Sequence, residues 1–318
     1  MANDKVVAWI KAARLRTLPL SFSVIIVGST IALELSSLLE DEEQLGFSWL
    51  IFSLTLITTL FLQVLSNFAN DYGDAKKGTD NEGRIGPERA VQSGILSLGE
   101  MKTGMVITAL LSLISGIILL IVSFGSDFDW QFILFILLGL LSIAAAIKYT
   151  VGKGAYGYHA LGDLFVFIFF GGVGICGSYY LQAGQIGTEV INSVLTFGSL
   201  CVAVLNLNNM RDRVNDEKVG KRTFAVVLGF EYSKYYHLLL FLIAWSPFII
   251  RMIQFWPGQL TVFVWYLPVL IIHVLHLIRV FKIEDPKDFD PELKKIALST
   301  FLLSLIMLGI SLVFVYAN

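Results

Sequence analysis

Of the 318 residues, 56% are hydrophobic and only 15% charged, and the formal net charge is −2. Soluble globular domains carry about 45–50% apolar and about 25% charged residues, so the composition excludes that class, together with disordered chains, collagen-like fibres and nucleic-acid binders. The two cysteines, Cys176 and Cys201, lie inside apolar runs and build neither a disulfide framework nor a metal-spaced cluster.

A helix needs about 20 apolar residues to cross a hydrocarbon layer about 30 Å thick. In chain order, nine stretches meet that length: residues 18–37, 47–69, 103–124, 130–149, 160–181, 188–208, 235–254, 262–281 and 296–316. The alternation of a membrane β-barrel is absent, so the predicted fold class is all-α, a polytopic bundle of nine transmembrane helices. The spans hold more than half the chain, and residues 1–318 read as a single integral-membrane domain. No small-residue cleavage pattern follows the first apolar run, which therefore reads as a retained helix rather than a secretory signal.

Lys and Arg collect in cytoplasmic loops. Placing the N-terminus and the loops after spans 2, 4, 6 and 8 on that side gathers every one of the 23 Lys and Arg residues except Arg251. The expected orientation is N-terminus in, C-terminus out, in the cytoplasmic (inner) membrane. The loops after spans 2 and 6 are the longest, at roughly 25–35 residues, and long loops concentrate function. The chemistry is expected at the cytoplasmic face.

Two helix ends on that side are unusually polar. Beyond Gln63, span 2 presents Asn67, Asn70, Asp71 and Asp74, which share one face if the helix continues. Span 6 ends in Asn208 and Asn209, then Arg211, with Asn209, Asp212 and Asp216 on one face. Ionisable groups in spans are costly and normally face a cavity, an ion or each other. Carboxylates grouped with amide oxygens are hard ligands suited to Mg²⁺, which is typically held by one or two carboxylates plus phosphate oxygens. Metal bridging to a diphosphate relieves the repulsion between two facing acidic clusters. Lys76, Lys77, Arg84, Arg89, Arg211, Lys218, Lys221 and Arg222 supply cations for the remaining phosphate charge. Arg16 and the flanking basic residues serve either as positive-inside anchors or as ligands.

At these residues the sequence resembles the UbiA superfamily of intramembrane prenyltransferases, nine-helix proteins with Asp-rich motifs on their second and sixth helices. The first motif reads Asn70-Asp71-x-x-Asp74 with Asp80 following, the second Asp212-x-x-x-Asp216. Three stretches resemble the branch that prenylates 1,4-dihydroxy-2-naphthoate in menaquinone biosynthesis. They are Ala13 to Pro19, Ala69 to Asp74 running on through Arg84 to Gly94, and Asn208 to Asp212 with Gly220 to Thr223; Lys148 to Asp163 is also similar. The chain departs from the family at Leu15, where Pro is common.

The resemblance implies that Asp71, Asp74, Asp212 and Asp216, with Asp80 a further candidate, hold Mg²⁺ against the diphosphate of a polyprenyl donor. It also implies an aromatic acceptor, prenylated with loss of CO₂ in this branch. A cation near the acceptor carboxylate is expected from Lys148, Lys153 or Arg89. Asp163 either activates the acceptor hydroxyl or caps its helix. Tyr149, with Tyr72, Tyr156 and Tyr158, lies where a π face can meet an allylic cation or simply pack. The expected partners are both substrates and membrane lipid, with no nucleic acid and no obligate protein partner. Other aromatic acceptors, 4-hydroxybenzoate or homogentisate, form the alternative. A secondary transporter is disfavoured because the carboxylates sit at one face, not at the midplane.

Overall fold

The computed structural model describes residues 2–37, 47–81, 85–256 and 259–317. Among them, nine helices are long and apolar enough to cross a membrane: Asp4–Ser36, Trp49–Lys77, Leu98–Phe124, Trp130–Lys148, Gly162–Ala183, Thr188–Lys218, Phe230–Phe255, Thr261–Lys282 and Pro286–Tyr316, here spans 1 to 9. No strand is formed among the described residues, only an isolated parallel bridge between His159 and Arg222. Each predicted span is present, and the differences lie at the ends. Spans 2 and 6 run on to Lys77 and Lys218, well past their apolar stretches.

Span 1 is broken near its start. A helix over Ala2–Ala13 ends at Arg14, whose φ of 48° and ψ of 54° are left-handed, and the turn Leu15–Thr17 leads into the helix Leu18–Ser36. A left-handed non-glycine residue costs free energy and persists only where its surroundings enforce it. Arg14 is a place where the fold holds a strained backbone.

Spans 1 and 6 are the most buried of the nine and form the centre of the bundle. Several of their buried hydroxyls bond within the helix, as Ser23 to the Leu20 carbonyl (2.6 Å) and Thr30 to that of Ile26 (2.7 Å). A polar atom left unpaired in hydrocarbon would cost several kcal/mol, roughly, so such bonding is favoured. Gly28 lets span 1 meet span 5: a Cβ there would lie 2.3 Å from the Ile175 carbonyl oxygen. Span 5 opens into a π-helix over Phe167–Cys176. Wide turns of this kind appear often at functional sites.

A large apolar core joins spans 1 and 5 to 9, with Val27, Phe197, Leu207, Phe241 and Ile296 inside it. A second cluster, with Leu65, Phe68 and Met101, ties the Ala2–Ala13 helix to spans 2 and 3. Spans 2 and 4 are among the least buried. One flank of each faces outward, and the other lines a cavity between the two clusters.

Candidate active site

The last two turns of span 2 carry the first acidic motif, because the helix continues to Lys77 and stops at Gly78 in the left-handed conformation (φ 72°). Asp71 and Asp74 are thereby buried on the inward face. The loop that follows folds back over them, anchored by buried Ala90 and Leu96, whose backbones are hydrogen-bonded at 3.1 Å. This return delivers Arg89 to the carboxylates. Its Nη1 lies 3.2 Å from Asp71 Oδ1 and 3.1 Å from Asp74 Oδ2, and its Nε 3.1 Å from Asp80 Oδ1. Arg14 is ion-paired to the same Asp71 oxygen. Burial by itself would lower the Arg89 pKa, but Asp74, Asp80, Asp71 and Asp212 outweigh it and hold the guanidinium above its ordinary value.

Span 6 carries the second motif. Arg211 is 2% exposed and grips both oxygens of Asp212, from Nε at 3.0 Å and Nη2 at 2.8 Å. One turn further on, Asp216 lies 3.7 Å from Lys221 Nζ. The chain reverses at Gly220 (φ 73°), and the Lys221 amide closes on the Asp216 carbonyl at 2.8 Å, so a tight turn sets this pair.

The two motifs meet. Asn215 on span 6 donates from Nδ2 to the Thr79 carbonyl at 3.1 Å, just beyond span 2. Burial would lower the pKa of Lys221, yet Asp74 and Asp216, one from each motif, raise it overall. The loop after span 4 closes the arrangement. Thr150 donates to the Ala69 carbonyl at 2.9 Å, and Tyr158 donates to Asp74 Oδ1 at 2.8 Å. Lys77 sits 3.7 Å over the Tyr158 ring and Lys221 5.5 Å from it. The His159–Arg222 bridge ties this loop to the one after span 6, with Ala160 N donating to the Arg222 carbonyl at 2.6 Å. Burial pushes the Tyr149, Tyr156 and Tyr158 hydroxyls up, so all three stay neutral phenols.

Beneath these groups lies a cavity of about 440 Å³. Arg14, Asn70, Asp74, Arg89, Asn208 and Lys221 line its polar end, with Tyr149 and Tyr156 beside them. The rest runs between spans 1 to 6 and is lined by Leu20, Val24, Leu62, Leu120, Phe135, Phe169 and Leu181 among others. Tyr156 stacks on Phe165 with ring centroids 4.0 Å apart, joining the polar end to the aromatic wall.

The predicted residues divide accordingly. Asn70, Asp74, Arg89, Asn208, Lys221 and Tyr149 border the cavity, while Asp71, Asp80, Arg211, Asp212 and Asp216 form the charged layer around it. Asn67 lines the cavity but spends its amide on the Ala13 carbonyl (2.9 Å) and Thr17 (3.3 Å), holding span 1 to span 2. Asn209 is buried within span 6 away from the cavity lining. Asp163 is buried and bonded to Tyr236 of span 7.

Several expected ligands are not brought to the cavity. Lys148 and Lys153 are exposed, the first beside Gly152, because the chain turns outward after span 4. Lys76, Lys218 and Arg222 are exposed as well, and Lys77 is turned onto Tyr158. Arg16 does not line the main cavity but borders a small adjoining recess with Asp290 and Lys294. Arg84 lies outside the described residues.

Sequence reasoning missed Arg14 as a site residue and read Tyr158 as a π face or a packing residue, not as a hydrogen-bond donor to Asp74. The Arg14 side chain turns inward only because its backbone is left-handed, a conformation no local sequence signal announces.

Among the described residues, no three carboxylate, His or Cys side chains close into a preformed metal cage. The donor set is nonetheless hard oxygen throughout, carboxylates with the Asn70 and Asn208 amides. Mg²⁺ asks for only one or two protein carboxylates, the remaining positions going to phosphate and water, so these residues fit that ion.

The sequence pattern described as the UbiA prenyltransferase family matches residues 42–306. The chain is 39% identical over 309 residues to the 1,4-dihydroxy-2-naphthoate octaprenyltransferase of Haemophilus influenzae, covering 96% of each chain. It is 45% identical over 233 residues to the protein of that name in Escherichia coli, covering 73% of this chain and 72% of that one. In fold it resembles the apo UbiA homolog of Aeropyrum pernix K1, with a TM-score of 0.65 at 16% identity over 95% of this chain and 98% of that one. The UbiA homolog of Archaeoglobus fulgidus bound to GPP and Mg²⁺ gives a TM-score of 0.62 at 15% identity over 96% and 100%. Helix number, paired acidic motifs and sequence agree, and the chain belongs to the UbiA prenyltransferase family.

Proposed function

We propose that this chain, as a single domain, transfers a polyprenyl group from polyprenyl diphosphate to 1,4-dihydroxy-2-naphthoate with loss of CO₂, giving demethylmenaquinol in menaquinone biosynthesis. The names of its relatives in Haemophilus influenzae and Escherichia coli support the acceptor. The structural observation that carries the reading is a cavity with charged groups at one end and an apolar wall reaching between six spans. That shape suits a substrate with an anionic head and a long hydrocarbon tail, each CH₂ of which favours burial by about 0.8 kcal/mol.

In this reading Arg14, Arg89 and Lys221 bind the diphosphate oxygens, and their charge steadies the leaving group as the C–O bond lengthens. Asp71, Asp74, Asp80, Asp212 and Asp216 hold Mg²⁺ at the same end. When bound, the ion neutralises diphosphate charge as a Lewis acid. Tyr149 and Tyr156 present neutral aromatic faces to the developing allylic cation, and the Phe165–Phe169 wall excludes water that would otherwise capture it. The acceptor ring attacks within that dry space. The concentration of basic residues at the same end supports a site at the cytoplasmic face of the inner membrane.

The test is direct. Purified protein receives one polyprenyl diphosphate with Mg²⁺, and either 1,4-dihydroxy-2-naphthoate or 4-hydroxybenzoate. Prenylation of the naphthoate with stoichiometric CO₂, lost on chelation of Mg²⁺, is the expected result. Prenylation of the benzoate alone would overturn the acceptor assignment.

A further inference from the structure

Arg211 has more acceptors around it than its own helix provides. Besides Asp212, its Nη2 donates to Asn208 Oδ1 at 2.7 Å, and its Nη1 donates to Asp290 Oδ1 at 2.5 Å. Asp290 lies in the first turn of the helix Phe289–Ala317 of span 9, where a negative charge also suits the helix dipole. The fully buried Phe289 ring packs against Phe230 with centroids 5.9 Å apart, which anchors that turn. Two carboxylates thus share one buried guanidinium. The trio keeps a net negative charge, whereas Arg211 and Asp212 alone would form a neutral pair.

We infer that Asp290 is a positioning residue for the second acidic motif, acting through Arg211 on Asp212. Drawing one arm of the guanidinium toward span 9 fixes the plane in which the other two arms hold Asp212. It also takes up part of the Arg211 charge, so Asp212 retains a negative field toward the diphosphate end. Asp290 borders a small recess with Arg16 and Lys294 that adjoins the main cavity through Thr17, Leu20, Val204 and Leu293; it does not itself line that cavity and acts at one remove. This inference rests on the reading that Asp212 serves a metal–diphosphate site. Partners that orient ligating groups change metal affinity by about 10- to 100-fold when removed.

The experiment uses the full-length protein with Asp290→Asn, Asp290→Glu and Asp212→Asn. Three quantities are measured: Mn²⁺ binding by electron paramagnetic resonance in the presence of inorganic diphosphate, the Mg²⁺ concentration giving half-maximal transfer, and KM for the aromatic acceptor. Asp290→Asn is expected to weaken Mn²⁺ binding about tenfold and to raise the Mg²⁺ requirement in step, leaving the acceptor KM unchanged. Asp290→Glu should restore most of the affinity. A lowered melting temperature with unchanged Mn²⁺ affinity in Asp290→Asn would overturn the inference and leave a clamp between spans 6 and 9. Should Asp290→Asn not fold, Asp290→Ala is measured in its place, and loss of fold in both also decides for the clamp. If Asp212→Asn keeps full Mn²⁺ binding, the underlying reading fails independently of Asp290.

Discussion

The phenol of Tyr158 donates a hydrogen bond of 2.8 Å to Asp74 Oδ1. The two residues are joined across the bundle, one in the loop after span 4 and the other in the last turns of span 2. The same hydroxyl lies 2.5 Å from Thr79 Oγ1, and Lys77 covers the ring face at 3.7 Å. Asp74 is therefore aimed by a residue from another part of the chain.

Tyr158→Phe keeps the ring and its cation contacts and removes only the donor. A hydrogen bond to a charged group contributes about 1.5–3 kcal/mol. The variant is expected to lose about 10- to 100-fold in kcat/KM for polyprenyl diphosphate at saturating acceptor. A change under about twofold would mean that Asp74 needs no help from this loop.

Arg89→Lys replaces a planar fork with a point charge. The guanidinium reaches Asp71, Asp74 and Asp80 together through two of its nitrogens, Nη1 and Nε, and an ammonium cannot reproduce that span. Transfer activity should fall by at least about 100-fold while the protein still elutes as a monodisperse species in detergent. Near-normal turnover in the lysine variant would reduce Arg89 to a source of charge.

Lys221 gives a pH prediction with a definite sign. Its folded pKa lies above the ordinary lysine value because Asp74 and Asp216 outweigh burial. Its contribution to stability is fully present below the unfolded lysine pKa and disappears as pH rises through the higher folded value. In metal-free protein the resulting fall in melting temperature is expected above the ordinary lysine range, and Asp216→Asn should move it to lower pH. An unshifted alkaline limb in that variant would count against the pairing.

Gly73→Ala tests the seam between span 2 and the loop after span 4. A Cβ at Gly73 would lie 2.6 Å from Thr150 Oγ1 and 2.8 Å from the Thr150 carbonyl carbon, and backbone cannot yield cheaply. Overpacking of this kind costs about 1–3 kcal/mol. A lower melting temperature should accompany reduced activity, because Thr150 also bonds Asn70 Oδ1 at 3.3 Å. Thr150→Ala in the same chain should recover little of the stability, because the Thr150 Cβ and carbonyl carbon, 2.7 and 2.8 Å from the added methyl, both remain.

Arg251, the basic residue that the orientation rule leaves on the far side, is buried and ion-paired to Glu34 of span 1, whose other oxygen accepts from Ser311 at 2.6 Å. Removing one member of a buried pair costs about 3–5 kcal/mol, whereas removing both can be nearly neutral. Glu34→Gln and Arg251→Leu should each lower the melting temperature more than the double variant does. Additive losses would show that the two charges are independently solvated.

Much of this protein is legible without coordinates. Apolar runs long enough to cross a bilayer mark the nine spans, because backbone polar groups in hydrocarbon must be satisfied within a helix. Asn67, Asn70, Asp71 and Asp74 share one face on the condition that span 2 stays helical beyond its apolar stretch, and it does so as far as Lys77. Helical periodicity reports which side chains share a face, and both acidic motifs are visible for that reason. It says nothing about which loop folds back onto that face. Arg14 and Arg16 stand two residues apart in one basic stretch, yet the left-handed backbone at Arg14 sends the first to the cavity and leaves the second beside Asp290. Lys148 and Lys153 look as well placed as Lys221, and only the turn at Gly220 brings the last to Asp216. Asp290 and Tyr158 reach the acidic motifs from distant parts of the chain. Local physical chemistry along the sequence determined the helices and the charged faces they carry; long-range packing alone decided which cations and hydroxyls meet them, because those contacts depend on where remote segments come to rest.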